Sequence, residues 1–186
     1  MEMQRLQPVL SRLSDPAIKN RTYLVKVKNE PHEVDAAIVA HLTSIAKMDG
    51  VHITLVLPSK ALCKKLEEAG ADLSKLHIID ASGSERAHDA QEERVTHTGG
   101  PTSLTELSIA ITKQMNVKPY GFFFFETASA VAASNPPETV ERFFRYLFNK
   151  MEERETLFIL IACPGEKIER VLPTLTEFAD KYIEIE

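Results

Sequence analysis

The hydrophobic residues of the chain fall into two alternating patterns. Short, mostly apolar runs predict strands that are covered on both faces, as in a parallel sheet. These runs occupy residues 23–27, 52–57, 76–79, 122–125 and 157–163. Longer segments with apolar residues at helical spacing lie between them and predict amphipathic helices. The helical segments are 29–48, 59–69, 103–115, 136–151 and 168–178.

This alternation of strands and helices predicts an α/β fold. Parallel neighbours need crossover connections, which are right-handed, so the helices should cover both faces of a mainly parallel sheet. We therefore expect a three-layer sandwich. Residues 182–186 alternate apolar and acidic side chains, which is typical of an edge strand with one solvent-exposed face. This strand could pair with its neighbour in the antiparallel direction.

Four consecutive phenylalanines, Phe122–Phe125, mark the predicted central strand. Such a run cannot alternate between core and water, so both faces of the strand must be covered. The run ends at Glu126. In open α/β sheets, ligands gather beyond the carboxyl ends of the strands, which makes Glu126 a candidate site residue.

Local signals predict where several helices begin or end. Gly50 is expected to close the first helix, since glycine tolerates a left-handed end conformation. Ser59 is expected to cap the second helix, and Ser103 with Glu106 has the spacing of a capping box. Pro173 is expected to kink or split the last helix.

Two segments stand outside this plan. Residues 3–13 have one apolar face and predict a lead-in helix that covers a sheet edge or contacts another subunit. We accordingly divide the chain into a lead-in at 1–20 and a single α/β domain at 21–186. Residues 81–98 are polar, and the ordinary interpretation, a surface loop, is favoured over a lid.

Composition narrows the class of protein. A hydrophobic content of 44% and a charged content of 26% are ordinary for a globular chain, and no apolar run reaches membrane-spanning length. The N-terminal residues lack the pattern of a signal peptide, and the two cysteines lack metal-type spacing. We therefore expect a cytoplasmic protein that does not bind a membrane. A net charge of −5 gives no general attraction for phosphate backbones, which makes nucleic-acid binding an unfavoured function.

The layout resembles the RecA-type ATPases, in particular their archaeal KaiC-like and RadA-like branch. The matching pieces are the strand–turn–helix at 23–48, the helix at 101–111, and the apolar strand that ends in Glu-Thr at 122–127. Asn-Pro-Pro-Glu at 135–138 and a long amphipathic helix follow. The resemblance covers residues 22–186 and implies a P-loop NTPase core that commonly assembles into rings or filaments.

The resemblance also implies a phosphate-binding loop of the form G-x-x-x-x-G-K-[ST] after the first strand, and the chain departs from it at 29–36. Asn29 and Val34 stand where the family has glycines. Asp35 stands where it has lysine, and Ala36 stands where it has the hydroxyl that binds magnesium. Since a phosphate cradle needs inward backbone N–H groups and positive charge, the chain is predicted to have a degenerate loop.

By the same resemblance, Glu126 matches the acid that helps to hold magnesium, and Thr127 lies beside it. Glu30, Glu33 and Asp35 place carboxylates around the helix start, where they would satisfy the helix dipole and repel a triphosphate. We therefore predict no ATPase activity and no bound cofactor or metal. The predicted function is an assembly or regulatory module with a protein partner or in a homo-oligomer.

The alternative is a sensor or enzyme that uses this acidic cleft for a cation or a small molecule. His32 joins the candidate residues here, as a cation ligand or a general base. The ordinary interpretation of the acidic residues is a solvated rim, and of Thr127 a packing or capping hydroxyl. The complete candidate cleft consists of Asn29, Glu30, His32, Glu33, Asp35, Glu126 and Thr127.

Overall fold

Seven strands form one sheet in the structure, a computed structural model that describes Leu10 and residues 22–28, 31–83 and 93–185. The strands are β1 (Thr22–Val27), β2 (Gly50–Thr54), β3 (Leu76–Asp80), β4 (Val95–His97), β5 (Phe122–Glu126), β6 (Leu157–Ala162) and β7 (Lys181–Ile185). Their order is β4-β3-β2-β5-β6-β1-β7, and every neighbouring pair is parallel. The predicted α/β class is confirmed. The antiparallel option for the last strand is wrong, because a helical crossover returns the chain to lie parallel beside β1.

Helices cover both faces of this sheet. They are α1 (Pro31–Ala40, continued by a π-helical turn at His41–Ile45), α2 (Ser59–Glu68), α3 (Leu104–Met115), α4 (Ala128–Ser134), α5 (Pro137–Glu153) and α6 (Glu166–Phe178). Helices α3 to α6 pack on one face, whereas α1 and α2 pack on the other. The predicted three layers are confirmed. In the described part of the chain, no helix has both the length and the apolar character needed to cross a bilayer.

The phenylalanine strand β5 lies in the middle of the sheet, as predicted. Phe122 and Phe124 enter the core under α1 and α2, whereas Phe123 and Phe125 enter the core under α3 to α6. All four side chains are at most 2% exposed. The alternation of a strand therefore places Glu126 on the α1 face of the sheet, together with Phe122 and Phe124.

The prediction that Gly50 closes the first helix is wrong. The helical turns end at Ile45, Lys47 takes the left-handed backbone conformation (φ 56°), and Gly50 is the first residue of β2. A side chain at position 50 would overlap the buried ring of Phe122. The glycine is needed there because it lets two neighbouring strands accommodate that ring, and not because of its backbone freedom.

Two predicted caps are also wrong, because neither serine hydroxyl caps its helix. Ser59 is the first residue of α2, and its backbone N–H donates to Asp80 Oδ2 at 2.6 Å. Ser103 makes no side-chain cap, and Glu106 Oε2 accepts from the backbone N–H of Gly99 at 2.8 Å. Helix α6 continues through Pro173 as one element, so the proline does not split it.

The polar segment 81–98 contains a short strand that the pattern did not predict. Val95–His97 forms β4, which pairs with β3 at the edge of the sheet. All three residues are only half-buried, so the strand has no apolar run to reveal it. Residues 84–92 of this segment lie outside the described residues. So does the predicted lead-in helix, apart from the buried Leu10.

Candidate functional site

Glu126 is the centre of the candidate site. It is the last residue of β5, is 1% exposed, and lies opposite Thr54 of β2 in the parallel register. Its side chain points to the α1 face, and α1 follows directly after β1, two strands away. The fold therefore brings the carboxyl end of β5 and the first turn of α1 to one place, as expected for a parallel sheet.

Two histidines hold the Glu126 carboxylate from different elements. His32 in the first turn of α1 has its Nδ1 atom 2.8 Å from Glu126 Oε1. His52 of β2 has its Nε2 atom 3.3 Å from Glu126 Oε2. Each of these ring nitrogens must carry its proton to donate to a carboxylate. Both oxygens of Glu126 are thus engaged by imidazole N–H groups.

Glu126 stays ionised in spite of its burial. Desolvation is the largest influence and raises its pKa, but the hydrogen bonds and charges of His32 and His52 together outweigh it. The net result is a pKa of about 2 in place of the ordinary 4.5. A negative charge is therefore fixed at the carboxyl end of the central strand over the whole physiological pH range.

Asp35 lies on the inner face of α1, and its carboxyl group is buried in the protein interior. It is 2% exposed, and neither of its oxygens has a hydrogen-bond partner among the residues that the structure describes. Burial, followed by the nearby charge of Glu126, raises the pKa of Asp35 well above its usual range, against a smaller opposite effect of Lys65. Asp35 is buried because Ile38 and Val39, three and four residues further along the helix, are fully buried on the same face.

His32, Asp35 and Glu126 form a potential cation site. Each offers one ligand atom, and these atoms lie within 4.8 Å of one another. The two carboxyl groups are buried, whereas the side chain of His32 is 33% exposed and opens the cluster to solvent. The cluster thus offers one nitrogen and two oxygen ligands, a combination that binds divalent metal ions in other proteins.

The structure brings together part of the predicted cleft. His32, Asp35 and Glu126 come together, but Glu33 is exposed on the outside of α1. Thr127 is buried, and its hydroxyl accepts from the backbone N–H of Ala130, which makes it the cap of α4. The remaining two predicted cleft residues, Asn29 and Glu30, lie outside the described residues.

Sequence reasoning missed His52. The residue opens a predicted strand, and its imidazole was not connected with Glu126. A usable signal exists, because His52 and Thr54 alternate with the buried Val51 and Ile53 and so share the α1 face of β2. His52 Nδ1 is also buried without a partner in the described part of the chain.

Ser129 and Cys163 connect α4 to the end of β6 by two hydrogen bonds. The Ser129 hydroxyl donates to the Cys163 carbonyl at 2.7 Å and accepts from its N–H at 2.8 Å, and so ties α4 to the end of β6. Burial, together with the charges of Asp35 and Glu126, raises the pKa of Cys163 to about 12. That thiol therefore stays protonated at neutral pH and is a poor nucleophile.

The sequence matches a family of unknown function, DUF7504, over residues 22–185. The chain belongs to this family. The comparison with curated proteins found no match.

The fold is similar to the crystal structure of a KaiC-like protein from the hyperthermophilic archaeon Pyrococcus horikoshii OT3. That similarity has a TM-score of 0.67 at 13% sequence identity, and covers 89% of this chain and 71% of the other. The DUF7504 chain therefore has the RecA-like fold that the resemblance implies.

Proposed function

We propose that this DUF7504 protein is a RecA-like domain that neither binds nor hydrolyses ATP at the start of α1. In this proposal, residues 29–36 are a degenerate phosphate-binding loop from the KaiC-like branch, and the domain serves as an assembly or regulatory module. The observation that carries the proposal is the pairing of both Glu126 oxygens with histidines above a buried, unpartnered Asp35.

The state of Glu126 supports the loss of nucleotide chemistry. An acid at the end of the central strand serves a Mg-nucleotide only if it can face the ion or its water shell. Here His32 and His52 each bond one carboxylate oxygen, so a hydrated Mg²⁺ would have to share both oxygens with imidazole N–H groups. The ionised carboxylate also repels phosphate oxygens that approach α1.

The state of Asp35 supports it as well. The position that would supply a lysine for the phosphates instead buries a carboxyl group under α1. Asp35 adds no positive charge to the start of the helix, and Val34 beside it is buried too. In the described part of its first turn, α1 therefore offers a phosphate no lysine or arginine, and the helix dipole supplies about half an elementary charge.

Isothermal titration calorimetry with Mg-ATP tests the proposal, with an active RecA-type ATPase as the positive control in the same buffer. We expect no saturable heat and no phosphate release above the buffer rate. A micromolar Kd for Mg-ATP would refute the proposal. If the Asp35→Asn and Glu126→Gln variants changed that Kd, the nucleotide would be assigned to this cluster and not to another surface.

The assembly role is a proposal about the surfaces that remain when nucleotide chemistry is absent. The RecA-like sheet and both helix layers are retained, which supports a function that depends on the shape of the domain. Size-exclusion chromatography with light scattering tests self-association, for which we expect a mass above 20.8 kDa. A monomeric mass over a hundredfold range of concentration would contradict the homo-oligomer and leave only an unlike protein partner.

A second candidate function is cation sensing at the same cluster. The observation that favours it is the mixed set of ligand atoms from His32, Asp35 and Glu126 within 4.8 Å. A thermal-shift screen over nucleotides, divalent ions and polyamines separates the two functions, because a bound ligand raises Tm by an amount that grows with the logarithm of its concentration relative to Kd. A shift with ATP alone would contradict both.

A further inference from the structure

We propose that His32 Nδ1, one Asp35 oxygen and one Glu126 oxygen bind a divalent transition-metal ion of the Zn²⁺ class. The inference rests on the second proposed function, cation binding at this cluster, and does not require the absence of nucleotide binding. It adds the class of ion, the ligand atoms and a residue that positions one of them.

The first support is the condition of Asp35. Nearly all buried side-chain polar atoms in proteins have a hydrogen-bond partner, and an exception needs an explanation. Both oxygens of Asp35 are buried without one among the described residues, and one of them lies within 4.8 Å of the His32 and Glu126 ligand atoms. A cation bound between these groups would be the missing partner of Asp35.

The second support is the spacing of the three ligand atoms. Bonds from Zn²⁺ to nitrogen and carboxylate oxygen are about 2.0–2.2 Å, so two ligand atoms of one ion lie about 3–4 Å apart. His32 Nδ1 and Glu126 Oε1 are 2.8 Å apart across a hydrogen bond that the ion would replace, with release of the Nδ1 proton. The widest separation in the cluster is at most 4.8 Å, so side-chain movements of about 1–2 Å bring all three atoms to bonding distance.

The third support is the chemistry of the donors. Mg²⁺ and Ca²⁺ are bound through oxygen atoms alone in most protein sites, whereas imidazole favours zinc and its transition-metal neighbours. The cluster contains one imidazole ligand and two carboxylates, which neutralise a divalent ion. Three protein ligands leave one tetrahedral position for water, and the 33% exposure of the His32 side chain gives the ion a path to it.

His52 is assigned as a positioning residue. Its Nε2 atom holds Glu126 Oε2 at 3.3 Å, which leaves Oε1 to face His32 and the ion. His52 is fully buried and tilted against the ring of Phe124 at a centroid distance of 5.0 Å, so packing restricts the orientation of its imidazole. Partners of metal-bound carboxylates change metal affinity by about 10–100-fold when they are removed.

The test is a titration of the EDTA-stripped protein with Zn²⁺ by calorimetry and with Co²⁺ by visible absorption. We expect one ion per chain and a cobalt spectrum of low-coordinate nitrogen and oxygen ligands. Asp35→Asn should weaken zinc binding by more than about 100-fold, and His52→Gln by about 10–100-fold with the ratio of one ion per chain retained. Glu33→Gln is the matched control, because it removes an exposed carboxylate from the same helical turn.

Two results would overturn the proposal. One is the absence of saturable zinc binding by the unmodified protein, and the other is equal zinc affinity in Asp35→Asn and Glu33→Gln. Circular dichroism of each variant excludes loss of the fold as the cause of lost binding. The same samples are titrated with Mg-ATP, so a failure of the metal site and a failure of the nucleotide proposal give different results.

Discussion

Replacing Asp35 with asparagine should stabilise the protein when no metal ion is present. The substitution keeps the size of the side chain and removes a carboxyl group that is 2% exposed and has no hydrogen-bond partner in the described part of the structure. The folded wild-type protein must either bury a charge or keep this carboxyl group protonated at neutral pH, and both choices cost free energy.

The structure limits the size of this cost. An ionised Asp35 would lie within 4.8 Å of the ionised Glu126, a repulsion of about 3 kcal/mol at an effective dielectric constant of 20. An unpartnered buried polar group costs about 1–3 kcal/mol by itself, and the asparagine amide keeps part of that cost. We therefore expect Asp35→Asn to raise the free energy of unfolding by about 1–3 kcal/mol at neutral pH.

The gain should depend on pH with a defined sign. Because the folded pKa of Asp35 is raised, its contribution to stability is fully present below its unfolded pKa of 3.8 and is lost as pH rises through the folded pKa. Asparagine does not titrate. The advantage of the variant should therefore be small near about pH 4 and largest near about pH 8.

Urea unfolding in EDTA, followed by circular dichroism at several pH values, measures this difference. Each kcal/mol should also appear as a rise in Tm of about 2–4 °C. Glu33→Gln, on the exposed side of the same turn, should change stability by less than about 0.5 kcal/mol at every pH. A variant less stable than the wild type at about pH 8, or a difference that does not change with pH, would refute the reasoning about Asp35.

Three further predictions concern the surroundings of the cluster. The lowered pKa of Glu126 contributes stability that is present above pH 4.5 and is lost as pH falls toward about 2, an effect of about 3 kcal/mol. Glu126→Gln should accordingly flatten the acid limb of a plot of urea midpoint against pH, and an unchanged limb would contradict the assignment. Gly50→Ala should destabilise the protein by about 1–3 kcal/mol in a thermal melt, because the new methyl group overlaps the ring of Phe122. Gly165→Ala is the control, since its new methyl group meets only ordinary van der Waals contacts. Ser129→Ala should lower the free energy of unfolding by about 1–3 kcal/mol in a urea titration, since it leaves the backbone N–H of Cys163 without its acceptor. An unchanged free energy of unfolding would show that another group replaces the hydroxyl.

The fold was predictable because its strongest signals are local. The phenylalanine run of β5 and the apolar stripe of α5, from Val140 to Met151, are long enough to define a buried strand and an amphipathic helix without knowledge of their neighbours. Two errors occur where a contact outside the expected local motif decides the outcome. Asp80 of β3 caps α2 in place of Ser59, and Glu106 bonds Gly99 in place of a capping box.

The candidate site was predictable to the extent that topology determines it. The ends of parallel strands meet at one edge, so Glu126 and the first turn of α1 could be brought together from the sequence. The burial of Asp35 was not foreseen, since the sequence interpretation placed its charge at an open cleft. Only the packing of Ile38 and Val39 shows that the aspartate lies on the inner face of α1. His52 was missed because it lies within a strand and reaches Glu126 only through the pairing of β2 with β5.

The cost of Asp35 without metal and the proposed zinc site together make a joint prediction that neither makes alone. Zinc at one hundred times its Kd stabilises the folded wild-type protein by about 2.7 kcal/mol, which matches the cost of about 1–3 kcal/mol expected for the unpartnered carboxyl group. Asp35→Asn should therefore be the more stable protein in EDTA and should lose that advantage in zinc. If the variant remained more stable than the wild type by the same free energy in both buffers, the Asp35 carboxyl group would destabilise the fold without serving as a metal ligand.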